Sequence, residues 1–397
     1  MPPSTLTRFD RIGAVFGVMI FGATFFLPFL LMRASRIAPA EPQLLIHLGQ
    51  YSGRLWAALF TLVAVLLAFR LPVWVRLMMA LGAMLALALA LGHEASVLAA
   101  GGTDYARISV GAGAWLLFAA LTLAIIDALV RQNLGPMARL ASLLVALGCL
   151  GLALGSGLWR DLSVMREYAN HADAFLRECR THLMLSLGSL AAACAIGLPL
   201  AVISARISWL RNSLLPALSM IQTIPSMALF GLLIAPMAWL AAHLPGAGAI
   251  GIAGIGPAPA FVALVAYSLL PIVSSTVSGL ARLPAPVVDA AAGMGLSPRQ
   301  SLWQVQIPLA MPAILTGIRI TLVQNIGMTV IAGLVGGGGL GVFVFQGISQ
   351  TASDLVLLGA LPAVIMAFTA AVFLDAMIAL SRGALPADDR SLVAGAT

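Results

Sequence analysis

DAAAGMG, at residues 289–295, is a short stretch of small and polar residues between two long hydrophobic runs, and VQIP follows it at residues 305–308. Between them, Ser297-Pro298-Arg299-Gln300 forms a capping box, with a hydroxyl at the N-cap, proline at the first helical position and glutamine at N3. Gly293 and Gly295 favour the end of the preceding helix. The sequence therefore predicts a helix, a tight turn and a second helix, with alanines that the backbone of a partner can approach closely.

The composition places the rest of the chain in a membrane. Hydrophobic residues make up 61% of the 397 residues and charged residues only 9%, whereas a soluble domain carries about 25% charged residues. All 21 basic residues are arginines, and most lie at the ends of hydrophobic runs. This placement is typical of membrane topology and not of a nucleic-acid surface. The sequence predicts an all-α polytopic membrane protein that contacts lipid and binds no nucleic acid.

Charge-free runs locate about ten transmembrane helices, because a helical span needs roughly 20 apolar residues. Residues 212–281 contain no charged residue; this segment is too long for a single span, so we expect it to turn back at the Pro/Gly cluster 245–259. The other predicted spans are 11–33, 55–69, 77–92, 108–126, 140–159, 181–205, 313–335 and 355–380.

These runs divide the chain into four predicted regions. They are an N-terminal five-span region (1–160), a polar extracytoplasmic connector (161–180), a five-span core (181–385) with a cytoplasmic loop at 283–312, and a cytoplasmic tail (386–397). With the N-terminus inside the cell, the cytoplasmic segments hold twelve arginines and the outer segments eight, in the direction of the positive-inside rule. The same orientation places residues 289–295 in the cytoplasm.

Residues 289–308 resemble the EAA loop of ABC-importer permeases. The match is an acid, two alanines, a glycine six positions after the acid, and an aliphatic-x-aliphatic-proline ending; aspartate stands where the family usually has glutamate. In that family the loop is a pair of short cytoplasmic helices that dock into a groove of the ATPase subunit. The resemblance implies a type I importer core, no cofactor bound by this chain, and ATP and Mg on a partner ATPase. The implied coupling residues are Asp289, Ala290, Ala291, Gly295, Ser297 and Pro298.

Two further segments resemble permeases that import quaternary-ammonium osmoprotectants such as glycine betaine, choline or carnitine. They are QTIPSMAL at residues 222–229 and IAGLVGGGGLG at residues 331–341. The five additional N-terminal spans are similar to the longer-chain, Yeh-type subgroup of this family. The resemblance implies a multi-pass protein of the bacterial inner membrane, an extracytoplasmic solute-binding protein, and a second permease copy or a paralogue.

Uncharged polar residues inside the core spans are candidates for the translocation path. A proline in a span removes a backbone hydrogen bond and frees a carbonyl that could face a passage, and neutral amides would let a zwitterion pass without a deep binding well. The alternative is that the amides form hydrogen bonds between helices, and the sequence leaves both open. The candidates are Gln222, Thr223, Pro225, Ser226, Gln324 and Asn325.

Four consecutive glycines, Gly336, Gly337, Gly338 and Gly339, lie at the outer end of the ninth predicted span. Their low helix propensity suggests an extracytoplasmic gate or a contact with the solute-binding protein. The alternative is a tight turn that glycine allows. A phosphate-binding loop is excluded because the Lys-Ser/Thr ending is missing.

Catalytic and metal-binding patterns are missing from the sequence. The histidines and cysteines are scattered, and no Walker sequence occurs, so we expect ATP hydrolysis on another chain and no metal site in this one. Three alternatives stay open: an ABC permease for another small solute, an ion-coupled secondary transporter, and an integral-membrane enzyme. A secondary transporter would need ionisable residues near the bilayer midplane, and an enzyme would need clustered His, Asp or Glu.

Two pairs of charges are predicted to interact. Arg319 and Asp375 lie inside the last two predicted spans at similar depth, and an unpaired charge there would cost several kcal/mol. Asp127 precedes Arg131 by four residues, a spacing that brings the two side chains together on one helix face.

Overall fold

The computed structural model describes residues 9–35, 38–103, 105–132, 134–248 and 251–383. Eight helices in this part of the chain are long and apolar enough to cross a membrane, and two shorter apolar helices span Arg11–Phe25 and Ser52–Leu67. The predicted helical multi-pass fold is confirmed.

The chain divides into two compact units, which are described separately. Unit 1 comprises residues 1–135 and 144–170, and unit 2 comprises residues 136–143 and 171–397. The boundary falls within the helix α5 (Pro136–Gly155). The other helices of unit 1 are α1 (Arg11–Phe25), α2 (Ser52–Leu67), α3 (Val73–Gly101), α4 (Ala112–Arg131) and α6 (Ser163–Asn170).

Unit 1 also contains a small antiparallel sheet that the sequence analysis missed. Its strands are β1 (Pro28–Arg33), β2 (Glu41–Leu44) and β3 (Arg107–Val110), in the order β2-β1-β3. The predicted span 11–33 is therefore too long, because α1 ends at Phe25 after 15 residues. Pro28 lacks a backbone N–H and disfavours the helical conformation of the residue before it, so the chain continues as a strand.

A network of four charged side chains joins the ends of three helices in unit 1. Arg76 of α3 is 3% exposed; it bonds Asp10, and its Nη2 lies 3.5 Å from Asp127 Oδ2 of α4. The predicted pair within α4 is confirmed, with 2.9 Å between Arg131 Nε and Asp127 Oδ2. Asp10 also caps α1, since its Oδ1 accepts a hydrogen bond from the N–H of Ile12. The negative charges of the two acids balance the positive charges of the two arginines. The network holds the start of α1 against α3 and α4.

We expect Arg76→Met to destabilise unit 1 strongly, because it leaves two acids sharing one arginine in a buried position. Removing one partner of a buried ion pair typically costs about 3–5 kcal/mol. The apparent Tm of the purified protein in detergent should fall by several degrees. Arg70→Met is the matched control, since Arg70 is exposed; an equal Tm for Arg76→Met and the control would contradict the structural role of the network.

Besides the first part of α5, the described residues of unit 2 form one long helix followed by eight further α-helices. From Ala172 onward the predicted connector is already helical, as the start of α7, and the uncharged segment 212–281 turns back between α9 and α10, as predicted. The helices are α7 (Ala172–Arg206), α8 (Ser208–Thr223), α9 (Ser226–His243), α10 (Pro257–Ala281), α11 (Ala285–Gly293), α12 (Pro298–Ser301), α13 (Ile307–Ala332), α14 (Gly341–Ser349) and α15 (Ser353–Gly383).

Helix α10 is at the centre of unit 2, where it packs against α7, α8, α9 and α13. Leu218 of α8 packs with Val273 in the second half of α10. Phe230 of α9 packs with Leu264 in the first half of α10. Helices α8 and α9 therefore lie one after the other along α10 and run antiparallel to it, with a break at Pro225.

The predicted ion pair between the last two long helices is confirmed. Arg319 Nη2 of α13 lies 3.0 Å from Asp375 Oδ2 of α15, and the two side chains are 37% and 41% exposed in the isolated chain. The same helices share an apolar cluster that includes Leu322 and Leu374. The ion pair and the cluster together hold α15 against α13.

Candidate functional site

The loop 283–312 contains the turn that the sequence predicts. Helix α11 ends in a Schellman motif: the N–H of Leu296 donates to the carbonyl of Ala291 at 3.2 Å, and the N–H of Gly295 donates to the carbonyl of Ala292 at 2.9 Å. Gly295 has a φ of 83°, a left-handed conformation that favours glycine. The backbone at the tip of the loop therefore requires glycine at this position.

The capping box that follows is also formed. The N–H of Ser297 donates to Gln300 Oε1 at 2.8 Å, and the N–H of Gln300 donates to Ser297 Oγ at 3.3 Å. Pro298 is the first residue of α12, where its missing N–H leaves no hydrogen bond unmade.

The second helix of the loop is not a separate short helix. Leu302–Gln306 forms a π-helical segment, and α13 starts directly after it at Ile307. Such segments occur inside longer helices, often at functional sites. The loop is therefore joined to α13 by continuous helical backbone.

The solvent-facing side of the loop includes Asp289 and Ala290, which are exposed. Ala291 is only 1% exposed, because α11 turns this side chain inward, toward the side on which it meets α12 and the π-helical segment. The side chain of Ala291 is therefore not on the exposed side of the loop, and its role in coupling stays a prediction. Its small size instead fits close packing within unit 2.

Two apolar side chains near the loop were missed by the sequence analysis. Met294 is 74% exposed and Trp303 is 69% exposed. Met294 lies between two glycines at the tip of the loop, and a large apolar residue in that position was the signal available in the sequence. The loop therefore presents an apolar side chain at its tip and, on α11, the exposed carboxylate of Asp289.

The candidate translocation residues from 222 to 226 lie at the break between α8 and α9. Thr223 is the last residue of α8, Pro225 precedes α9, and Ser226 is its first residue. The missing N–H of Pro225 would have paired with the carbonyl of Ile221, which instead accepts a hydrogen bond from the N–H of Ile224 at 3.2 Å. The carbonyl of Ile224, at the break itself, accepts a hydrogen bond from the Tyr267 hydroxyl of α10.

The candidate amides differ in their surroundings. Asn325 is fully buried; its Nδ2 donates to Ser189 Oγ of α7 at 2.9 Å, and its Oδ1 accepts from Ser268 Oγ of α10 at 3.0 Å. Gln222 Nε2 donates to the carbonyl of Tyr267 at 2.9 Å. These contacts favour the alternative in which amides link helices. Gln324 is half-buried and its Nε2 lies 3.5 Å from Met328 Sδ, so it is the amide with the fewest polar contacts.

The glycine run, Gly336–Gly339, forms a turn at the end of α13. Gly336, Gly338 and Gly339 have φ values of 74°, 77° and 82°, which side chains with a Cβ rarely adopt. The N–H of Gly339 donates to Glu178 Oε2 of α7 at 2.7 Å, and a Cβ at Gly339 would lie 3.2 Å from His182 Nδ1. The run is therefore a tight turn held against α7, and its role as a gate or receptor contact stays a prediction.

We expect Glu178→Ala to loosen the glycine run, because it removes the carboxylate that accepts from Gly339. Hydrogen bonds to charged groups contribute about 1.5–3 kcal/mol, so amide hydrogen exchange in the run should accelerate about tenfold or more. Hydrogen-exchange mass spectrometry of peptides covering residues 333–345 measures this. Asp173→Ala, an exposed acid on the same helix, is the control; unchanged exchange in Glu178→Ala would show that the contact does not restrain the run.

Two family models together match most of the chain. The model described as the binding-protein-dependent transport system inner membrane component matches residues 197–383. The model described as the N-terminal domain of the ABC transporter permease YehY matches residues 10–165. The two matches correspond to the two halves of the molecule.

Several curated proteins are similar to the C-terminal half. The osmoprotectant import permease protein OsmW of Salmonella typhimurium is 42% identical over 180 residues, which cover 45% of this chain and 79% of that protein. The choline transport system permease protein OpuBB of Bacillus subtilis is 31% identical, with 47% of this chain and 78% of that protein covered. The carnitine transport permease protein OpuCB of Listeria monocytogenes is also 31% identical, with the same coverage. The chain therefore belongs to the osmoprotectant import permeases, the multi-pass inner-membrane components of binding-protein-dependent ABC transporters, and carries a YehY-type N-terminal domain.

Proposed function

We propose that this chain is the membrane subunit through which an ATP-driven importer passes a small quaternary-ammonium osmoprotectant, with glycine betaine as the first candidate. The observation that carries the proposal is the loop 283–312, called the coupling loop below. Its tip is exposed, its turn is fixed by Gly295, and its second helix continues into α13 without interruption. A partner that moves the tip would therefore move a membrane span.

The coupling loop would dock onto a separate cytoplasmic ATPase. The full sequence contains no lysine, whereas a phosphate-binding P-loop uses a lysine on the β- and γ-phosphates. ATP and Mg are therefore assigned to the partner, and the part of this chain in that interaction is the docking surface. Exposed Met294 and Asp289 offer an apolar contact and a charge for that surface, the combination found at the centre and rim of protein interfaces.

The solute is proposed from the chemistry of the core. Residues 212–281 carry no formal charge, and the polar groups near the helix break are amides, hydroxyls and carbonyls. A zwitterion or a monovalent cation can pass such groups without meeting a fixed opposite charge. Selection would take place on an extracytoplasmic solute-binding protein, where aromatic side chains recognise quaternary ammonium by cation–π attraction. A second copy of this permease, or a paralogue, would complete the passage.

An ion-coupled secondary transporter is the second candidate that the sequence raised. Such a transporter needs ionisable groups near the midplane that can bind and release an ion. The two interior charges of the last long helices, Arg319 and Asp375, neutralise each other at 3.0 Å. This pairing disfavours ion coupling through them and supports the ATP-driven alternative.

Whole-cell uptake tests the proposed solute. In a bacterial strain without other osmoprotectant importers, the complete transport system should accumulate radiolabelled glycine betaine, and unlabelled choline or carnitine should compete if the system accepts both. The same system with Gly295→Glu, expressed at an equal level, serves as the inactive control. Accumulation of a peptide, a sugar or a metal ion without any response to betaine would overturn the proposed solute class.

A further inference from the structure

A cavity of about 110 Å³ lies in unit 2 behind the coupling loop. It is bounded by the C-terminal end of α7, the start of α8, the C-terminal end of α10 and the π-helical segment of the loop. Its walls include Arg206, Arg211, Val277, Leu280, Leu302 and Gln306. The predicted topology places the coupling loop in the cytoplasm, so the cavity would lie at the cytoplasmic boundary of the membrane.

The two arginines of this cavity have no acidic partner. Within the described parts of the chain, no carboxylate forms an ion pair with Arg206 or Arg211. Both arginines flank the start of α8, where the free N–H groups of a helix add positive potential. The lining of the cavity therefore contains two guanidinium groups that no carboxylate of the described residues neutralises.

Apart from the amide of Gln306, the other side chains that line the cavity are aliphatic, and they restrict the chemical class of ligand that fits. Val277 and Leu280 come from α10, and Leu302 comes from the π-helical segment. A guanidinium donates paired N–H groups to a phosphate. The aliphatic side chains, in contrast, are buried favourably only against a hydrocarbon group. Basic pockets between membrane helices on the cytoplasmic side bind lipid head groups. A phosphodiester attached to acyl chains satisfies both parts of the cavity, and free inorganic phosphate satisfies only the arginines.

We propose that the cavity binds the phosphate of an anionic phospholipid of the inner leaflet, with Arg206 and Arg211 as its ligands. The lipid would bridge the ends of α7 and α8 to the π-helical segment of the coupling loop. This inference does not depend on which solute the permease carries. The bound lipid would add to the contacts that hold the coupling loop against the helices of unit 2.

The test measures lipid retention by the full-length protein. Protein purified from nanodiscs that contain phosphatidylglycerol and phosphatidylcholine is analysed by native mass spectrometry. Wild type should retain phosphatidylglycerol selectively, and the double variant Arg206→Gln/Arg211→Gln should lose this selectivity by about tenfold or more, as expected for the removal of two interfacial charges. Ala281→Leu narrows the cavity without changing its charge and should lower retention in a protein that keeps both arginines.

Arg282→Gln is the control, because Arg282 is exposed and lies next to the cavity without lining it. Retention should be unchanged in this variant. Equal loss of phosphatidylglycerol in the control and the double variant would show that general surface charge, and not the cavity, retains the lipid, and would overturn the proposal. Wild-type retention in the double variant would overturn it as well. Displacement of phosphatidylglycerol by millimolar inorganic phosphate would identify a soluble anion as the occupant and would overturn the assignment to a lipid.

Discussion

Gly295→Glu should reduce uptake to background while the protein still inserts in the membrane at a normal level. Two penalties act at the tip of the coupling loop. The left-handed conformation of Gly295, with a φ of 83°, costs a residue with a Cβ about 1–2 kcal/mol. The glutamate also places a bulky charge in the surface proposed to meet the ATPase. Membrane level, ATPase pull-down and uptake are measured in the same cells.

Two milder substitutions separate these penalties. Gly295→Ala adds only the conformational cost and should weaken ATPase association partially. Gly293→Ala is the matched control, because Gly293 lies in helix α11 and has open space around an added Cβ; it should leave association unchanged. Full uptake by Gly295→Glu would show that this loop does not couple the permease to an ATPase.

Asp375→Ala should remove most of the folded protein from the membrane. The substitution leaves Arg319 without its partner at 3.0 Å, inside a membrane span. An unpaired charge inside a membrane span costs several kcal/mol, a large part of the stability of a folded protein. The membrane level and the apparent Tm in detergent of the purified protein measure the effect.

The double substitution Arg319→Leu/Asp375→Leu distinguishes loss of a contact from an unpaired charge. Replacing both partners with apolar residues is often neutral or stabilising for a buried pair. We therefore expect the double variant to recover most of the membrane level that Asp375→Ala loses. A double variant as unstable as the single variant would assign the effect to packing and not to charge.

Local features of the fold were predictable from the sequence, because they depend on residues close together in the chain. The capping box of Ser297 and Gln300 and the turn at Gly295 are set by a few consecutive residues. The pair Arg319 and Asp375 was predictable for a different reason: few charges lie inside the last spans, so each has few partners.

Features that depend on distant packing were not predictable. The sheet in unit 1 joins β1 to a strand that follows about two spans later in the chain. The network around Arg76 brings together residues from α3, α4 and the start of α1. The sequence predicted only its local pair, Asp127 and Arg131. The side chain of Ala291 is buried because of the way α11 packs against α12. The spacing of alanines and glycines in the sequence does not define this packing. For the candidate path, the hydrogen bonds of Asn325 to α7 and α10 required the folded structure.

ATP-dependent uptake in a reconstituted system tests the central claim most directly. Proteoliposomes would contain this permease and its ATPase, with ATP inside and the solute-binding protein and radiolabelled glycine betaine outside. The account predicts accumulation that requires ATP, the binding protein and an intact coupling loop, and that Gly295→Glu abolishes. Accumulation without ATP, driven by a proton or sodium gradient, would contradict it.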